Sequence, residues 1–219
     1  SRWCRRWRTG IPGTDNRQLT GARDRLMAKL YFNYSAMNAG KSAILLQAAY
    51  NYRERGMNVL LLRPTTDHRG PTGEITSRIG LSAPADMIPP DKNVKSHILD
   101  QHRDAPLACV FVDEAQFLTE EQVWQLAEIA DEERIPVLCY GIRTDFAGEL
   151  FPGSAALLAM ADSLREIRTI CWCGSKATMT ARIGEDGEIV SEGEQVQVGG
   201  NESYVSLCRK HWKNRELRG

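Results

Sequence analysis

The stretch that most constrains this chain is Lys29 to Ser42, K-L-Y-F-N-Y-S-A-M-N-A-G-K-S. An apolar, aromatic-rich run reaches a set of small residues and ends in Gly40-Lys41-Ser42, where a helical pattern begins. Strand, tight turn and helix start, in that order, build a phosphate-binding loop. Backbone N–H groups of the turn and of the helix N-terminus converge on one point, and the helix dipole adds partial positive charge there. Lys41 is expected to reach the outer phosphates of a nucleotide, and the Ser42 hydroxyl to ligate the magnesium that bridges them. Ser35 stands where the G-x-x-x-x-G-K-[ST] pattern has its first glycine. A serine serves there if its backbone stays in an allowed region.

A second stretch, Leu107-Ala-Cys-Val-Phe-Val-Asp113-Glu114, runs six apolar residues into two acids. A buried parallel strand ending in Asp is the other half of a phosphate-loop nucleotide site. Asp113 is expected at the magnesium and Glu114 at the mouth of the site as a general base. Two solvated acids at a strand end are the ordinary alternative, and the preceding loop argues against it.

The rest of the chain reads as α/β. A helix is predicted from about Gly40 to Arg55, closed by Gly56. Asn58–Arg63 is a continuous apolar strand of the kind buried on both faces. Residues 64–92 read mostly as loop, with Asp67-His68-Arg69 just past a strand end and Arg69 solvated. A short helix over Val94–His102 follows. Thr119 and Gln122 form a capping box ahead of a helix to about Glu133. Ile135–Gly141 is a strand, Ser154–Leu164 a helix and Glu166–Ile170 a short strand. Phe146, Leu150 and Phe151 lie on the irregular stretch between, where aromatics either stack on a flat ligand or plug a loop onto the body.

Of 219 residues, 42% are hydrophobic and 26% charged, ordinary for a globular protein, and no apolar run approaches the ~18 residues of a membrane helix. The net charge is zero, but unevenly spread. Residues 1–26 hold seven arginines and two acids, so the remainder carries 21 basic against 26 acidic residues, a net of −5. That excludes a polycationic nucleic-acid binder. Residues 1–26 lack both apolar periodicity and a secretory core. Met27 is the expected natural start, and 1–26 an upstream extension without order. The expected compartment is the cytoplasm.

Cys109 and Cys139 sit in apolar runs as small hydrophobes. Cys171-Trp-Cys173-Gly174 and Cys208-Arg-Lys-His211 instead form two close pairs, a four-ligand tetrahedral zinc set with no position left open for chemistry. Between the pairs, Met179–Ile183 and Glu188–Val190 flank the hairpin signal Glu185-Asp186-Gly187. So small a lobe has little core, and metal is expected to supply its folding energy.

Together S-A-M-N-A-G-K-S (35–42), V-D-E-A-Q-F (112–117), C-Y-G-I-R-T-D-F-A-G-E-L-F (139–151), C-W-C-G (171–174), G-G-N-E-S-Y (199–204) and C-R-K-H (208–211) resemble the zinc-containing thymidine kinases in their bacterial form. The resemblance spans nearly all of 27–219. It implies a phosphate-loop, RecA-like mostly parallel sheet flanked by helices over 27–168, and a zinc lobe over 169–219 carrying a lasso loop that closes over the nucleoside. By position it implies that Ser35, Ala36, Met37, Asn38, Ala39, Gly40, Lys41, Ser42, Asp113, Glu114, Ala115 and Gln116 bind ATP. Glu114 matches the catalytic base, and Met37, Phe117, Phe146, Phe151 and Tyr204 match positions around thymine. Cys171, Cys173, Cys208 and His211 match the zinc ligands. It further implies Mg-ATP and thymidine as substrates, dTTP as feedback inhibitor, and a cytoplasmic homotetramer. Gly199-Gly200 permit the close backbone approach that recognition of the thymine edge by the lasso requires. From its residues alone, Tyr204 reads as a hairpin-packing aromatic. Two rivals remain at this stage. One is an ATPase whose zinc ribbon contacts nucleic acid. The other is a kinase for a different deoxynucleoside.

Overall fold

The computed structural model describes residues 28–65, 73–184, 186–190, 192–193, 195 and 204–218. The readings made for residues 1–26, Met27, Asp67-His68-Arg69 and Gly199-Gly200 lie outside these. In chain order the strands of the first part are β1 (Leu30–Ser35), β2 (Asn58–Pro64), β3 (Glu74–Thr76), β4 (Ser82–Pro84), β5 (Asp86–Ile88), β6 (Leu107–Val112), β7 (Val137–Ile142) and β8 (Ser163–Glu166). Then come β9 (Thr169–Ile170), β10 (Lys176–Ala177), β11 (Met179–Ile183), β12 (Ile189–Val190) and β13 (Tyr204–Leu207). The helices are α1 (Lys41–Arg53), α2 (Val94–Asp104), α3 (Glu120–Glu132), α4 (Pro152–Met160) and α5 (Arg209–Asn214), with a 3-10 turn at Ala115–Phe117.

Six strands form a parallel sheet in the order β5-β2-β6-β7-β1-β8. Continuous apolar runs are what such a sheet needs, because alternate residues must satisfy two faces. Leu60, Leu62, Val110 and Val112 pack toward Val94 and Ile98 of α2, Val123, Leu126 and Ile129 of α3, and Leu157 of α4. Their neighbours Leu61, Cys109 and Phe111 pack the other way, with Leu45, Leu46 and Ala49 of α1. Both cysteines expected as hydrophobes are buried in these layers, and burial pushes the Cys109 thiol up to about 12. Parallel strands place all their carboxyl ends on one edge, which gathers Ser35, Asp113 and Ile142 there.

The capping box of α3 is present in full: Thr119 Oγ1 accepts from the Gln122 N–H, and Gln122 Oε1 from the Thr119 N–H. Three readings need correction. Residues 64–92 hold the antiparallel pair β3–β4 and the edge strand β5, each only three residues long, too short to show alternation. The helix placed at Ser154–Leu164 starts earlier and ends sooner, at Pro152–Met160. Proline suits a first helical position, and Ala161 is already extended. Leu164 therefore belongs to β8, which pairs with β1, while Asp162 accepts a hydrogen bond from the Leu30 N–H. The short strand expected at Glu166–Ile170 is split between the end of β8 and β9.

The C-terminal part is a three-stranded antiparallel sheet, β12-β11-β13, with the pair β9–β10 and α5 beside it. The expected hairpin is there, with Arg182 opposite Val190 and Ile183 opposite Ile189. Among the described residues its own buried apolar side chains are few: Cys171, Ala177, Met179, Ala181 and Leu207.

Candidate active site

The phosphate loop leaves β1 at Ser35 and enters α1 at Lys41. Asn38 (φ 62°) and Gly40 (φ 80°) are both left-handed. A Cβ on Gly40 would meet nothing within 4 Å, so glycine is needed there for its backbone angle and not for space. Ser35 has no such angle, which satisfies the condition on a serine at this position. Its hydroxyl accepts from Lys41 Nζ at 3.0 Å and donates to the Ala36 carbonyl at 2.6 Å. Lys41 is buried and also donates to the Ala36 carbonyl at 3.1 Å, so its ammonium lies folded back across the loop. The first turn of α1 contains no acid, and Gly40 offers no side-chain cap. Its first N–H groups and positive dipole end therefore face the loop with no acid of the helix's own first turn to meet them.

Two strands away, Asp113 follows β6 and is buried, 3% exposed. Its Oδ1 has no hydrogen-bond partner. Burial first, and the neighbouring Glu114 charge second, push its carboxyl up to about 7, against a hydrogen bond from Ser42 and the charge of Lys41. A buried carboxyl with one orphaned oxygen and a hydrogen bond from the Ser42 hydroxyl, beside a phosphate loop, has the hard oxygen chemistry that suits magnesium. Glu114 is left-handed (φ 49°) and turns the chain into the 3-10 turn. Gln116, fully buried, donates from Nε2 to Glu114 Oε2 and accepts the Ile142 N–H at 3.2 Å. Both ends of its amide are thus committed to tying the acid to β7. A Cβ on Gly141 would come within 2.8 Å of Gln116 Oε1, so glycine there leaves room for the link. The Ala115 side chain belongs to the core.

Beside this edge, Met37, Ile142 and Phe151 form a small apolar cluster with Phe117 and Tyr204 against it. The rings of Phe117 and Phe151 meet edge to face, 5.6 Å apart. Four of the five residues expected around a flat base are therefore together. Phe146 is not in this cluster. Its ring lies under the Arg182 guanidinium at 3.8 Å, and its carbonyl accepts from Trp212 Nε1. Asp145 holds that loop, Oδ1 accepting the N–H groups of Ala147 and Glu149. Ile142, Asp145 and Arg182 were not singled out from sequence. From sequence Ile142 reads as the start of the irregular stretch after Gly141, whereas it is the last residue of β7, and nothing in the pattern marks Arg182 as buried.

Cys171, Cys173, Cys208 and His211 present ligand atoms all within 4.8 Å of one another. The Sγ atoms of Cys171 and Cys208 each lie 3.4 Å from His211 Nδ1. Zinc bonds of about 2.3 Å to sulfur and 2.0 Å to nitrogen at a tetrahedral angle require about 3.5 Å. The donor set and spacing fit a closed tetrahedral site. Trp172 stacks on the His211 ring at 4.2 Å, and a Glu216 carboxylate oxygen stands 3.5 Å from Nε2, orienting the imidazole. No described helix is long and apolar enough to cross a membrane.

A family model described as "Thymidine kinase" matches residues 28–212. The thymidine kinase of Ruegeria pomeroyi is 62% identical over 187 residues, 85% of this chain and 94% of that protein. That of Agrobacterium fabrum is 59% identical over 186 residues, with coverage of 85% and 96%. That of Yersinia pseudotuberculosis is 56% identical over 187 residues, with coverage of 85% and 95%.

Proposed function

The chain belongs to the thymidine kinase family, and from that premise we propose that it transfers the γ-phosphoryl group of Mg-ATP to the 5′-hydroxyl of thymidine, giving dTMP and ADP. The observation that carries the reading is the placement of Lys41, Ser42, Asp113 and Glu114 along one sheet edge, with the apolar cluster of Met37, Ile142, Phe117, Phe151 and Tyr204 next to it. A nucleic-acid ATPase has no need of that cluster, and relatives this similar are kinases by name.

In this reading the loop from Ser35 to Ser42 receives the triphosphate on its N–H groups, and Lys41 swings from its internal partners onto the outer phosphates. Ser42 and Asp113 would hold magnesium, which would neutralise phosphate charge when bound. Glu114, steadied by Gln116, accepts the proton of the 5′-hydroxyl. The apolar cluster takes the thymine face, and Phe146 shapes the pocket from behind Arg182. Phosphoryl transfer needs positioning and charge complementarity more than covalent help, and these residues supply both. The Cys3His cluster holds structural zinc and fixes the lobe. We further propose the cytoplasm as compartment, a homotetramer as assembly and dTTP as feedback inhibitor, each resting on family membership.

The test is a nucleoside panel with purified protein and Mg-ATP. ADP formation that depends on thymidine, exceeds that with deoxycytidine and yields dTMP is expected. Nucleoside-independent ADP formation stimulated by DNA would overturn the reading.

A further inference from the structure

We infer that Thr180 and Ser206 are positioning residues whose hydroxyls clamp Met37 and so set the shape of the phosphate loop from the C-terminal lobe. The inference rests on the loop being the nucleotide site proposed above. Thr180 and Ser206 are direct partners in the β11–β13 ladder, so their side chains stand side by side on one face. The Met37 N–H donates to Thr180 Oγ1 at 3.2 Å, and the Ser206 hydroxyl donates to the Met37 carbonyl. Two cross-strand hydroxyls thus take both backbone groups of one loop residue, as a neighbouring strand would. The next pair on the same face of the ladder is Arg182–Tyr204, and the Tyr204 carbonyl accepts from Asn38 Nδ2 at 3.1 Å.

The residue so held is the one before Asn38, whose left-handed backbone is uncommon outside glycine. Such conformations persist where the surroundings over-determine them. With Gly40 two residues on, that angle aims the loop's N–H groups inward as an anion-binding concavity. Thr180 is 2% and Met37 6% exposed, so water does not readily replace these hydrogen bonds. Both hydroxyls bond the backbone of Met37, so they act on the site through the loop. β13 continues through Leu207 into Cys208, which places the metal cluster two residues from Ser206. The lobe that holds the metal is thereby the wall against which the phosphate loop is set.

Full-length Ser206→Ala, Thr180→Val and the hydroxyl-retaining Thr180→Ser decide the matter. Binding of a fluorescent Mg-ATP analogue, KM for ATP and for thymidine, melting temperature and zinc content are read for each. Ser206→Ala and Thr180→Val are each expected to weaken nucleotide binding about five- to tenfold, as loss of one buried hydrogen bond does. The KM for ATP should rise more than that for thymidine, zinc content should stay at the wild-type level, and Thr180→Ser should lie within about twofold of wild type. The double variant should fall short of the product of the singles, because both act on one residue. Nucleotide affinity within about twofold of wild type in both single variants would overturn the clamp. So would an affinity loss that merely tracks lost zinc or lost folded fraction. Each single variant decides alone if the double one fails to fold. A wild type that binds Mg-ATP but does not phosphorylate thymidine would sink the thymidine reading, and the clamp is then judged on affinity. A wild type without nucleotide binding overturns both.

Discussion

The parallel sheet and the C-terminal lobe of this chain are held together by different physics. The sheet buries two apolar layers, one against α1 and one against α2, α3 and α4, with residues such as Phe32, Phe111, Leu62 and Leu126 fully inside. Each such side chain contributes about 1.5–3 kcal/mol by leaving water. Among the described residues the lobe buries Cys171, Ala177, Met179, Ala181 and Leu207, two of them alanines and one a metal-ligand candidate. Too little apolar surface is removed there to offset the entropy of ordering its strands. The difference shows where each part is vulnerable: the sheet to cavities, the lobe to loss of one ligand.

Chelation, or Cys208→Ser, is expected to have the largest effect, because a structural zinc site, as proposed for the Cys3His cluster, contributes on the order of 10 kcal/mol to the fold it closes. Spectroscopy should show the lobe's signals lost while the sheet's far-UV signature remains. Since the lobe holds Met37 and Asn38, nucleotide binding should weaken in the same samples. If the cluster holds zinc as proposed, a chelated protein that retains lobe protection in hydrogen exchange would erase the contrast. Leu126→Ala makes a cavity under α3 and should cost about 2–5 kcal/mol of global stability, read by denaturant titration, with metal affinity unchanged.

Smaller and opposite in sign is Asp113→Asn. The folded-state carboxyl is raised to about 7 from an ordinary value near 3.8, chiefly by burial. Between those values the native state binds the proton more tightly than the unfolded chain, so ionising Asp113 costs stability as pH rises through that window. Without magnesium, the asparagine variant should therefore be more stable than wild type at pH 8, by about 1–3 kcal/mol, and closely similar at pH 4. Melting curves at the two pH values, with and without magnesium, check it; magnesium should stabilise only the wild type. Equal melting at pH 8 would mean that the buried carboxylate is better compensated than its geometry indicates.

Much of this architecture is legible in the sequence because the sheet obeys local rules. Continuous apolar strands, Gly40 at the helix start and the Thr119–Gln122 capping box each carry a one-dimensional signature, and each was found in place. The strands of 64–92 escaped because three residues are too few for a period. The boundary at Ala161 escaped because alanines continue a helical pattern whether or not the chain does. The metal set was legible as paired Cys and His. The contacts of Thr180, Ser206 and Arg182 were not, since each joins elements far apart in the chain and depends on a docking that no spacing encodes. Phe146 shows the same limit: its place on the loop was visible, its position under Arg182 was not.

The most direct test of the account is single-turnover transfer of labelled γ-phosphate from Mg-ATP to thymidine by wild type and Glu114→Gln. Glutamine keeps the shape beside Gln116 but cannot take a proton. The account expects the chemical step to slow by about 10²- to 10⁴-fold while Mg-ATP and thymidine affinities stay near the wild-type values. A transfer rate within a few-fold of wild type would show that Glu114 is not the base and would contradict the assignment around which the site has been built.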